Sequence, residues 1–355
     1  MGGRRRTCVG GAAVRLDLGR AFGIKRGGIG RRWCRGRGGG RGPRRRDTQT
    51  IDQAQFQFDP RAGIVIGVLV AIMVFGVALD LRWEHFRRIL KDPRAPIVGL
   101  FAQFVVLPAI ALAISHLLVR TPSVALGLLL VASVPGGAVS NYMTYLARGD
   151  VATSVAITAV TTLGCIIITP LLFGVLASAN PATAGLLRQL GVSPAELILM
   201  FMFTVGLPIA GGMLLAARRP RVADRIRVWI RRLSMILFAV AVVTGTAVNI
   251  GLLVRHASES LLPAVLACAL ALAVGWTSSK LAGLGAADRR AVTIEAGGQQ
   301  AGVAIGIAIT FFPSLAGVAV MCAVWGVVQV AFIVPLVAIW ARMPPRTSGT
   351  SGQEV

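Results

Sequence analysis

Apolar positions along this chain form runs of about 20 residues, the length that a helix needs to cross the hydrocarbon core of a bilayer. Polar and basic residues gather in the short stretches between these runs. The pattern predicts an all-α, polytopic membrane protein. Nine transmembrane helices are expected at about 61–80, 94–118, 122–147, 151–177, 193–217, 231–254, 260–282, 288–312 and 314–341.

Two of these runs are interrupted by residues that do not continue a helix. Pro-Gly-Gly at 135–137 breaks the third run, and Ala-Gly-Gly at 296–298 breaks the eighth. Proline removes a backbone donor, and paired glycines raise the entropy cost of ordering the chain. Broken backbone at membrane depth is tolerated only where protein or a water-filled cavity satisfies its polar groups. Two broken helices in corresponding positions of two halves therefore predict inverted repeats with a transporter binding site at the breaks.

Composition agrees with a membrane protein and divides the chain into three parts. Hydrophobic residues make up 55% of the 355 residues and charged residues 14%, with a mean hydropathy of +0.73. A large share of the 37 basic residues lies before Phe58 in an Arg/Gly-rich tract. Such a tract is typical of a nucleic-acid or lipid-binding tail, or of a disordered segment with no core to bury. We expect residues 1–58 to be a disordered tail that need not belong to the mature protein, with no nucleic acid as partner. Residues 59–342 are then the transmembrane domain, and 343–355 a second disordered tail.

The distribution of Lys and Arg among the short loops predicts the orientation. The loops after the first and fifth predicted helices are strongly basic, and Arg342 and Arg346 follow the last helix. Lys280, Arg289 and Arg290 lie at the two ends of the loop between the seventh and eighth predicted helices and are counted with it. That side is expected to be cytoplasmic, which places the C-terminus inside and the N-terminus outside a plasma or inner membrane. The Arg-rich tail contradicts this arrangement, which is a further reason to separate it from the membrane domain.

Glu295 is an acidic residue placed deep inside an apolar run. An ionisable group at that depth costs free energy unless it is paired or hydrated, so it indicates a functional site by default. The alternative is a protonated glutamic acid that hydrogen-bonds to a neighbouring helix. Gly297 and Gly298 free main-chain carbonyls next to it, and Gln299 adds an amide oxygen. Carboxylate, amide and carbonyl oxygens suit a small hard cation.

Polar side chains also follow the first break. Ser140 and Asn141 come directly after it, and Ser154 and Thr158 are spaced so that their hydroxyls share one helix face. Gln103 is a lone amide in the second run, where an unpaired buried amide would be costly. Ordinary helix packing is the alternative role for such residues.

Catalytic and transition-metal chemistry have little support in the sequence. The five cysteines include no C-x-x-C pair, and the three histidines lie near segment ends rather than at ligand spacing. No nucleophile, base and acid form a recognisable set. We therefore expect no enzyme activity and no cofactor besides a coupling ion.

The sequence motifs at the breaks resemble a known family. The run P-G-G-x-x-S-N-x-x-T-Y-L-A-R-G at 135–149, with S-x-x-x-T at 154–158 and T-P at 169–170, is similar to the fourth helix of bile acid:sodium symporters. The stretch from Thr293 to Gln299 resembles the ninth helix of that family. The resemblance covers about 61–341 and corresponds to the nine-helix form. It implies two crossing broken helices in a core domain, a separate panel domain, and alternating access through their relative motion.

The resemblance also implies two sodium sites that share one carboxylate. Matching motif positions place in the first site the side chains of Ser140, Asn141, Ser154, Thr158 and Glu295. They place in the second site Gln103, Glu295, Gln299 and the main-chain carbonyls of Ala296 and Gly298.

Departures from the family pattern concern the substrate. Gln300 stands where the family usually has Asn, and Ala138 stands where a small hydroxyl residue is usual. Bile acid specificity is therefore not implied. A small organic anion, a carboxylate, is expected at the half-helix starts near Gly136, Gly137, Ala138 and Gln300, where N–H groups and helix dipoles favour anions. The expected function is sodium-coupled symport; a proton-coupled or uncoupled carrier and a non-transporting membrane ligand sensor are the alternatives.

Overall fold

The computed structural model describes residues 67–79 except 69, 73 and 77, then 92–191 and 194–343. Most of these residues are helical, and an isolated antiparallel bridge joins Gly136 to Gln299. The two predicted tails, 1–58 and 343–355, lie outside the described residues apart from Met343.

The helices after residue 92 are numbered in chain order, with π for segments of wider helical turn. The first half contains α1 (Arg94–Phe101), π1 (Ala102–Val106), α2 (Leu107–Leu117), α3 (Pro122–Ser133), α4 (Ala138–Leu146), α5 (Val151–Gly164), α6 (Ile168–Ala179) and α7 (Pro181–Gln189). The second half contains α8 (Pro194–Phe201), π2 (Met202–Gly206), α9 (Leu207–Arg218), α10 (Pro220–Leu281), α11 (Ala286–Gly297), α12 (Ala301–Phe311) and α13 (Ala316–Arg342).

Several of these helices are long and apolar enough to cross a membrane. By length and composition they are Arg94–Leu117, Ser258–Leu281 and Ala316–Arg342, and the bent pair α5 and α6 makes a fourth if it is counted as one span. Shorter apolar helices, among them α3 and α12, lie between them. The described part of the chain is a helical, multi-pass membrane protein. The count of nine helices, the inverted repeats and the panel domain stay predictions.

Both predicted helix breaks are confirmed. α3 ends at Ser133 and α4 begins at Ala138, while α11 ends at Gly297 and α12 begins at Ala301. Val134 and Gly137 have extended backbone, with ψ of 156° and 151°. The chain therefore crosses the first break in a stretched form that leaves main-chain polar groups available for other partners.

The run predicted as one helix at about 151–177 consists of two helices. α5 ends at Gly164 and α6 begins at Ile168, and the two are bent by 72° relative to each other. Pro170 accounts for the bend because it has no N–H to donate to the carbonyl of Ile166. Regular α-helical bonding is thus interrupted at 165–167.

The two helices predicted at about 231–254 and 260–282 form one continuous helix, α10, of 62 residues. Residues 255–259 contain neither Gly nor Pro, so the sequence between the two apolar runs does not end the helix. Pro263 lies within α10. The axial length of α10 is about 90 Å at the usual helical rise, whereas the part that fits a span is Ser258–Leu281.

α3 is the buried centre of the fold. Its residues from Ser123 to Ser133 are all buried, and α2, α6, α7 and α13 pack around it. α13 approaches α3 closely at Gly127, where a Cβ would lie 2.7 Å from Met321 Cβ and from the carbonyl oxygen of Val318. Because α3 leads directly into the first break, this packing fixes the position at which the break starts.

The outer surface carries large apolar side chains. Leu117, Val327 and Leu281 are 80%, 71% and 89% exposed, respectively. Such side chains are costly in water and favourable in lipid. The surface therefore agrees with a protein surrounded by a bilayer.

Candidate cation-binding site

The two helix breaks cross each other and satisfy each other's main-chain groups. The N–H of Gly137 donates to the carbonyl of Gly298 at 3.3 Å, and the N–H of Gln300 donates to the carbonyl of Pro135 at 3.0 Å. These bonds form the antiparallel bridge between Gly136 and Gln299. Broken backbone in a membrane protein needs such partners, because lipid offers none.

Glu295 lies at this crossing with its side chain fully buried, at 0% exposure. Its carboxylate accepts hydrogen bonds from Ser140 Oγ at 2.6 Å and from Thr158 Oγ1 at 2.6 Å. Ser154 Oγ donates to the same carboxylate at 3.0 Å. α4 supplies Ser140 and α5 supplies the other two hydroxyls, so three helices meet at one carboxylate.

Gly136 allows this close approach. A Cβ added at Gly136 would collide with Oε1 of Glu295 and would lie 3.6 Å from Oε1 of Gln103. The first break thus contributes backbone flexibility and also the free volume into which the carboxylate fits.

Asn141 completes the group of polar residues around Glu295. Its Oδ1 accepts from Ser154 Oγ at 2.8 Å and from Thr158 Oγ1 at 3.1 Å. The structure therefore brings together all five side chains predicted for the first sodium site. We call Ser140, Asn141, Ser154, Thr158 and Glu295 the hydroxyl cluster.

Oxygen atoms outnumber the available protons in the hydroxyl cluster. Ser140 Oγ lies 2.5 Å from the carbonyl of Gly137 as well as 2.6 Å from Glu295, yet a serine hydroxyl has one proton to donate. Thr158 Oγ1 likewise lies within 3.1 Å of Asn141 Oδ1, of the Ser154 carbonyl and of Glu295. Several of these close oxygen–oxygen contacts therefore have no proton between the two atoms. Oxygen lone pairs that face one another in this way are favourable for a cation.

Gln103 and Gln299 form a second group, which we call the glutamine pair. Gln103 Nε2 donates to Gln299 Oε1 at 2.9 Å, and Gln299 Nε2 donates to the carbonyl of Ala296 at 3.2 Å. Both side chains are buried. Among the described residues, Gln103 Oε1 has no hydrogen-bond partner. The predicted ligands of the second sodium site thus lie near each other, but several of them bond to one another.

Gln103 reaches the crossing from π1, where the helix widens. Pro108 follows in α2 and has no N–H for the carbonyl of Phe104, which disturbs the regular bonding of this span. Single wide turns of this kind are frequent at functional sites. π2 has the same relation to Pro208 in the second half.

The residues predicted to bind substrate also lie at the crossing. Gly136 and Gly137 are buried, Ala138 is the first residue of α4, and Gln300 is half-buried at the start of α12. The main-chain N–H groups of Gly137 and Gln300 donate across the crossing and are occupied in this arrangement. Gln300 lines a small cavity together with Val74, Pro135, Thr162, Cys165, Val205, Ile209 and Val303.

Gln329 on α13 belongs to the site but was not among the predicted residues. Its Oε1 accepts from the main-chain N–H of Gln299 at 2.9 Å and from Trp325 Nε1 at 3.1 Å. It therefore satisfies a backbone donor that the second break leaves free. The signal was present in the sequence, since Gln329 is a lone amide in an apolar run, as Gln103 is.

Comparison with known proteins places these features in a family. The model of the sodium/bile acid symporter family matches residues 67–256, a little over half of the chain. The uncharacterized sodium-dependent transporter YocS of Bacillus subtilis is 29% identical over 259 residues, which cover 71% of this chain and 76% of that protein.

Plant proteins are similar to the same extent. The probable sodium/metabolite cotransporter BASS1 of Arabidopsis thaliana is 29% identical over 285 residues, 79% of this chain and 67% of its own length. The probable sodium/metabolite cotransporter BASS2 of Oryza sativa is 30% identical over 230 residues, 65% of this chain. The chain spans about half of the rice protein, 53%.

Proposed function

This chain belongs to the sodium/bile acid symporter family, and we propose that it couples sodium movement to the symport of a small organic anion, a carboxylate, by alternating access. The observation that carries the proposal is the hydroxyl cluster: a fully buried carboxylate that receives hydroxyls from two other helices at the crossing of two breaks. Relatives named as sodium-dependent transporters support sodium as the coupling ion.

The first sodium ion binds in the hydroxyl cluster. Carboxylate, amide and hydroxyl oxygens are the ligands that a hard cation prefers, and Ser140, Asn141, Ser154 and Thr158 present them around Glu295. The negative charge of Glu295 compensates the cation in a setting where solvent screening is weak. When sodium binds, the hydroxyl protons rotate away from the carboxylate. The lone pairs of the hydroxyl and carboxylate oxygens then face the ion.

The second sodium ion binds beside the glutamine pair. Its ligands are Gln103, Gln299, the shared Glu295 and the carbonyls of Ala296 and Gly298. The buried Oε1 of Gln103 has no hydrogen-bond partner among the residues that the structure describes, which supports this assignment. The carbonyls of Ala296 and Gly298 already accept hydrogen bonds, so this site requires a small rearrangement before it is complete.

The substrate carboxylate binds at the starts of α4 and α12. Gly136, Gly137 and Ala138 open the first of these half-helices, and Gln300 opens the second. Helix N-termini carry partial positive charge and N–H groups that favour anions. Gln300 is half-buried, so it remains partly accessible to a ligand at the crossing. A carboxylate is proposed in place of a bile acid because of the departures at Ala138 and Gln300.

The surrounding architecture follows from the same proposal. Two inverted repeats form a core domain with the crossing breaks and a panel domain that moves against it, in the manner of other repeat-built transporters. The protein lies in the plasma or inner membrane with its C-terminus in the cytoplasm, according to the charge of its loops. It has no catalytic role.

A proton-coupled carrier is the second candidate, because a buried carboxylate hydrogen-bonded to hydroxyls is also a site for one proton. Oxygen–oxygen distances of 2.6 Å from Glu295 to Ser140 and Thr158 are hydrogen-bond distances, and a hydroxyl can make such a bond to a protonated as well as to an ionised carboxyl group. The two candidates differ in what drives uptake.

The test uses purified protein in two stages. A thermal-shift screen of small organic acids, in sodium or in choline, identifies ligands that stabilise the fold. Uptake of the best ligand into proteoliposomes is then measured under an inward sodium gradient, and under a pH gradient in choline. Sodium-driven uptake supports the proposal; uptake driven by the pH gradient alone selects the proton carrier; stabilisation without uptake indicates a ligand sensor.

A further inference from the structure

Arg290 is a buried cation on α11, the helix that also carries Glu295. Its residue is 6% exposed, and it lies about one and a half helical turns before Glu295. An arginine is rarely buried so fully unless its guanidinium has specific partners. The partners of Arg290 connect α11 to two other helices of the site.

The guanidinium of Arg290 donates hydrogen bonds to three main-chain carbonyls. Nη1 donates to Ala147 at 2.7 Å and to Trp340 at 3.1 Å, and Nη2 donates to Met343 at 2.6 Å. Ala147 is the C-cap of α4, Trp340 lies in the last turn of α13, and Met343 is the C-cap of α13. The ring of Trp340 also lies 5.8 Å from the guanidinium carbon.

Helix C-termini are favourable partners for a cation. The last carbonyls of a helix have no partner within it, and the helix dipole makes that end partly negative. The C-terminal ends of α4 and α13 both contact Arg290. Its guanidinium group is planar and can donate hydrogen bonds to both ends at once. The side chain of Arg290 therefore joins α4, α11 and α13. It does so at the ends of α4 and α11 that lie away from the helix breaks.

This connection bears on the hydroxyl cluster through α4. α4 carries Ser140 and Asn141 near its start and ends at Leu146, directly before Ala147. α11 carries Arg290 near its start and Glu295 near its end. The two half-helices are thus joined at two levels, by Ser140 with Glu295 and by Arg290 with Ala147. The bond at Arg290 adds to those from Ser140 to Glu295 and from the N–H of Asp150 to the carbonyl of Ala287, and together they fix the register and the rotation of α4 relative to α11.

α13 extends the same connection to the glutamine pair. Its Gln329 accepts from the main-chain N–H of Gln299, and its last turn is bonded to Arg290. The guanidinium therefore also anchors the helix that supports the second break.

We propose that Arg290 is a positioning residue for sodium: by bonding the C-terminal ends of α4 and α13 to α11, it holds the oxygen ligands on α4 at the correct distance from Glu295. It does not contact the ion. The inference rests on the proposed function, since it assumes that the hydroxyl cluster binds sodium. Loss of Arg290 lowers the affinity for sodium and leaves the maximal rate at saturating sodium largely unchanged.

Arg289 provides a matched control. It is the adjacent arginine on α11 and lies over the ring of Trp276 at 5.0 Å. Its guanidinium donates to the carbonyl of Leu284, just before α11, at 3.1 Å. Arg289→Gln therefore removes the same charge and a similar aromatic contact, but no bond to α4 or α13.

The experiment uses the organic acid that the thermal-shift screen identifies and measures its sodium-driven uptake into proteoliposomes over a range of sodium concentrations. The proteins compared are the wild type, Arg290→Gln, Arg290→Lys and Arg289→Gln. For Arg290→Gln the sodium concentration at half-maximal uptake should rise about tenfold, the lower end of the loss that follows removal of a supporting partner of a metal site. Arg290→Lys should give an intermediate rise, because an ammonium keeps the charge but not the fork. Arg289→Gln should behave as the wild type.

The outcomes separate this inference from the proposed function. If wild-type uptake depends on sodium but Arg290→Gln has the wild-type half-maximal sodium concentration, the positioning role alone is overturned. It is also overturned if Arg289→Gln raises the half-maximal sodium concentration as much as Arg290→Gln does. A lower maximal rate without a change in sodium affinity indicates a purely structural role and also overturns it. If Arg290→Gln does not fold, the same criteria apply to Arg290→Lys. Sodium-independent wild-type uptake overturns both proposals.

Discussion

The hydroxyl cluster and the glutamine pair lie at the same crossing and share Glu295, yet they differ in how their polar atoms are used. In the hydroxyl cluster, oxygens converge in excess of their protons, with Ser140 and Thr158 both 2.6 Å from the carboxylate. In the glutamine pair, Gln103 donates to Gln299 and Gln299 donates to Ala296, so donors and acceptors largely satisfy each other.

The difference follows from the chemistry of the two side-chain types. A hydroxyl has one proton that can rotate away, whereas an amide carries two fixed donors beside its single acceptor oxygen. Hydroxyls around a carboxylate therefore form a cation site with little movement. A pair of amides must first separate. We expect the hydroxyl cluster to bind the first sodium ion and the glutamine pair to bind the second.

Removal of the shared carboxylate should give the largest effect, because both groups depend on it. In Glu295→Gln a neutral amide replaces the charge, and attraction to a cation at roughly 4 Å falls by about 4 kcal/mol at an effective dielectric constant near 20. That loss corresponds to about three powers of ten in affinity. Sodium-driven uptake by proteoliposomes should therefore fall to the level seen in choline.

Glu295→Asp is the matched control for this prediction, since it keeps the charge and shortens the side chain by one methylene. It should retain measurable sodium-driven uptake at higher sodium concentrations. Both variants should elute as monodisperse protein on size-exclusion chromatography. Sodium-dependent uptake in Glu295→Gln at wild-type concentrations would contradict the assignment of Glu295 to either site.

A methyl group at the first break should disturb both groups at once. In Gly136→Ala the new Cβ would collide with Glu295 Oε1 and approach Gln103 Oε1. Overpacking of this kind costs about 1–3 kcal/mol, which corresponds to up to about a hundredfold in sodium affinity. The midpoint of thermal unfolding in detergent should fall as well.

Gly185→Ala is the control for the glycine substitution. A Cβ at Gly185 in α7 would meet no atom within 4 Å, and alanine is the better helix former. Its unfolding midpoint should be equal to or above that of the wild type, with unchanged uptake. Wild-type behaviour of Gly136→Ala would mean that the crossing can open to admit a methyl group.

A substitution within the hydroxyl cluster should affect one ion. Thr158→Ala removes a single neutral oxygen, worth about 1–1.5 kcal/mol, so the sodium concentration at half-maximal uptake should rise about tenfold. Thr161→Ala is the matched control, because Thr161 is a buried threonine on the same helix whose hydroxyl donates to the Thr158 carbonyl. A similar rise in both variants would assign the effect to helix packing.

A substitution in the glutamine pair should have a smaller effect. Gln103→Ala removes a proposed ligand but also frees Gln299 from its partner, so gain and loss partly cancel. We expect about a threefold rise in the half-maximal sodium concentration, the equivalent of one weak hydrogen bond, and a lower Hill coefficient. A larger effect than that of Thr158→Ala would reverse the proposed order of binding.

The sequence predicted the two breaks because Pro-Gly-Gly and Gly-Gly inside apolar runs have few structural interpretations. It also predicted which side chains lie at the crossing, since hydroxyl spacing and the family resemblance agreed on them. The bend between α5 and α6 was missed although Pro170 was visible, because one proline can kink a helix or begin one. The continuity of α10 was missed because a polar linker without Gly or Pro resembles a loop in an apolarity profile.

Long-range contacts were the part that the sequence did not reveal. Gln329 was overlooked because its partner, the N–H of Gln299, is an unpaired donor only after the break has formed. Arg290 was counted among the basic loop residues because a count of charges does not show which arginine is buried against helix ends. Local patterns predict where the backbone breaks, whereas the partners of the broken ends depend on the packing of distant helices.

The last prediction separates substrate from cation at the crossing. Gln300 follows the second break and lines the cavity beside Pro135 and Thr162. Among the described residues, no hydrogen bond joins its side chain to the hydroxyl cluster or to the glutamine pair. Gln300→Ala should therefore weaken substrate binding about tenfold, the loss of one hydrogen bond to a charged group.

Sodium binding measured by calorimetry without substrate should stay unchanged in Gln300→Ala, since no sodium ligand is removed. Coupling between the two ligands is reciprocal, so sodium in place of choline should tighten substrate binding by the factor by which substrate tightens sodium binding. Because the substitution removes no sodium ligand, we expect this factor to be the same in the variant and in the wild type. A variant that loses affinity for both ligands equally would place Gln300 in the cation site. A variant that loses only the sodium effect would make Gln300 the link between the two sites, because each ligand would then still bind but without sensing the other.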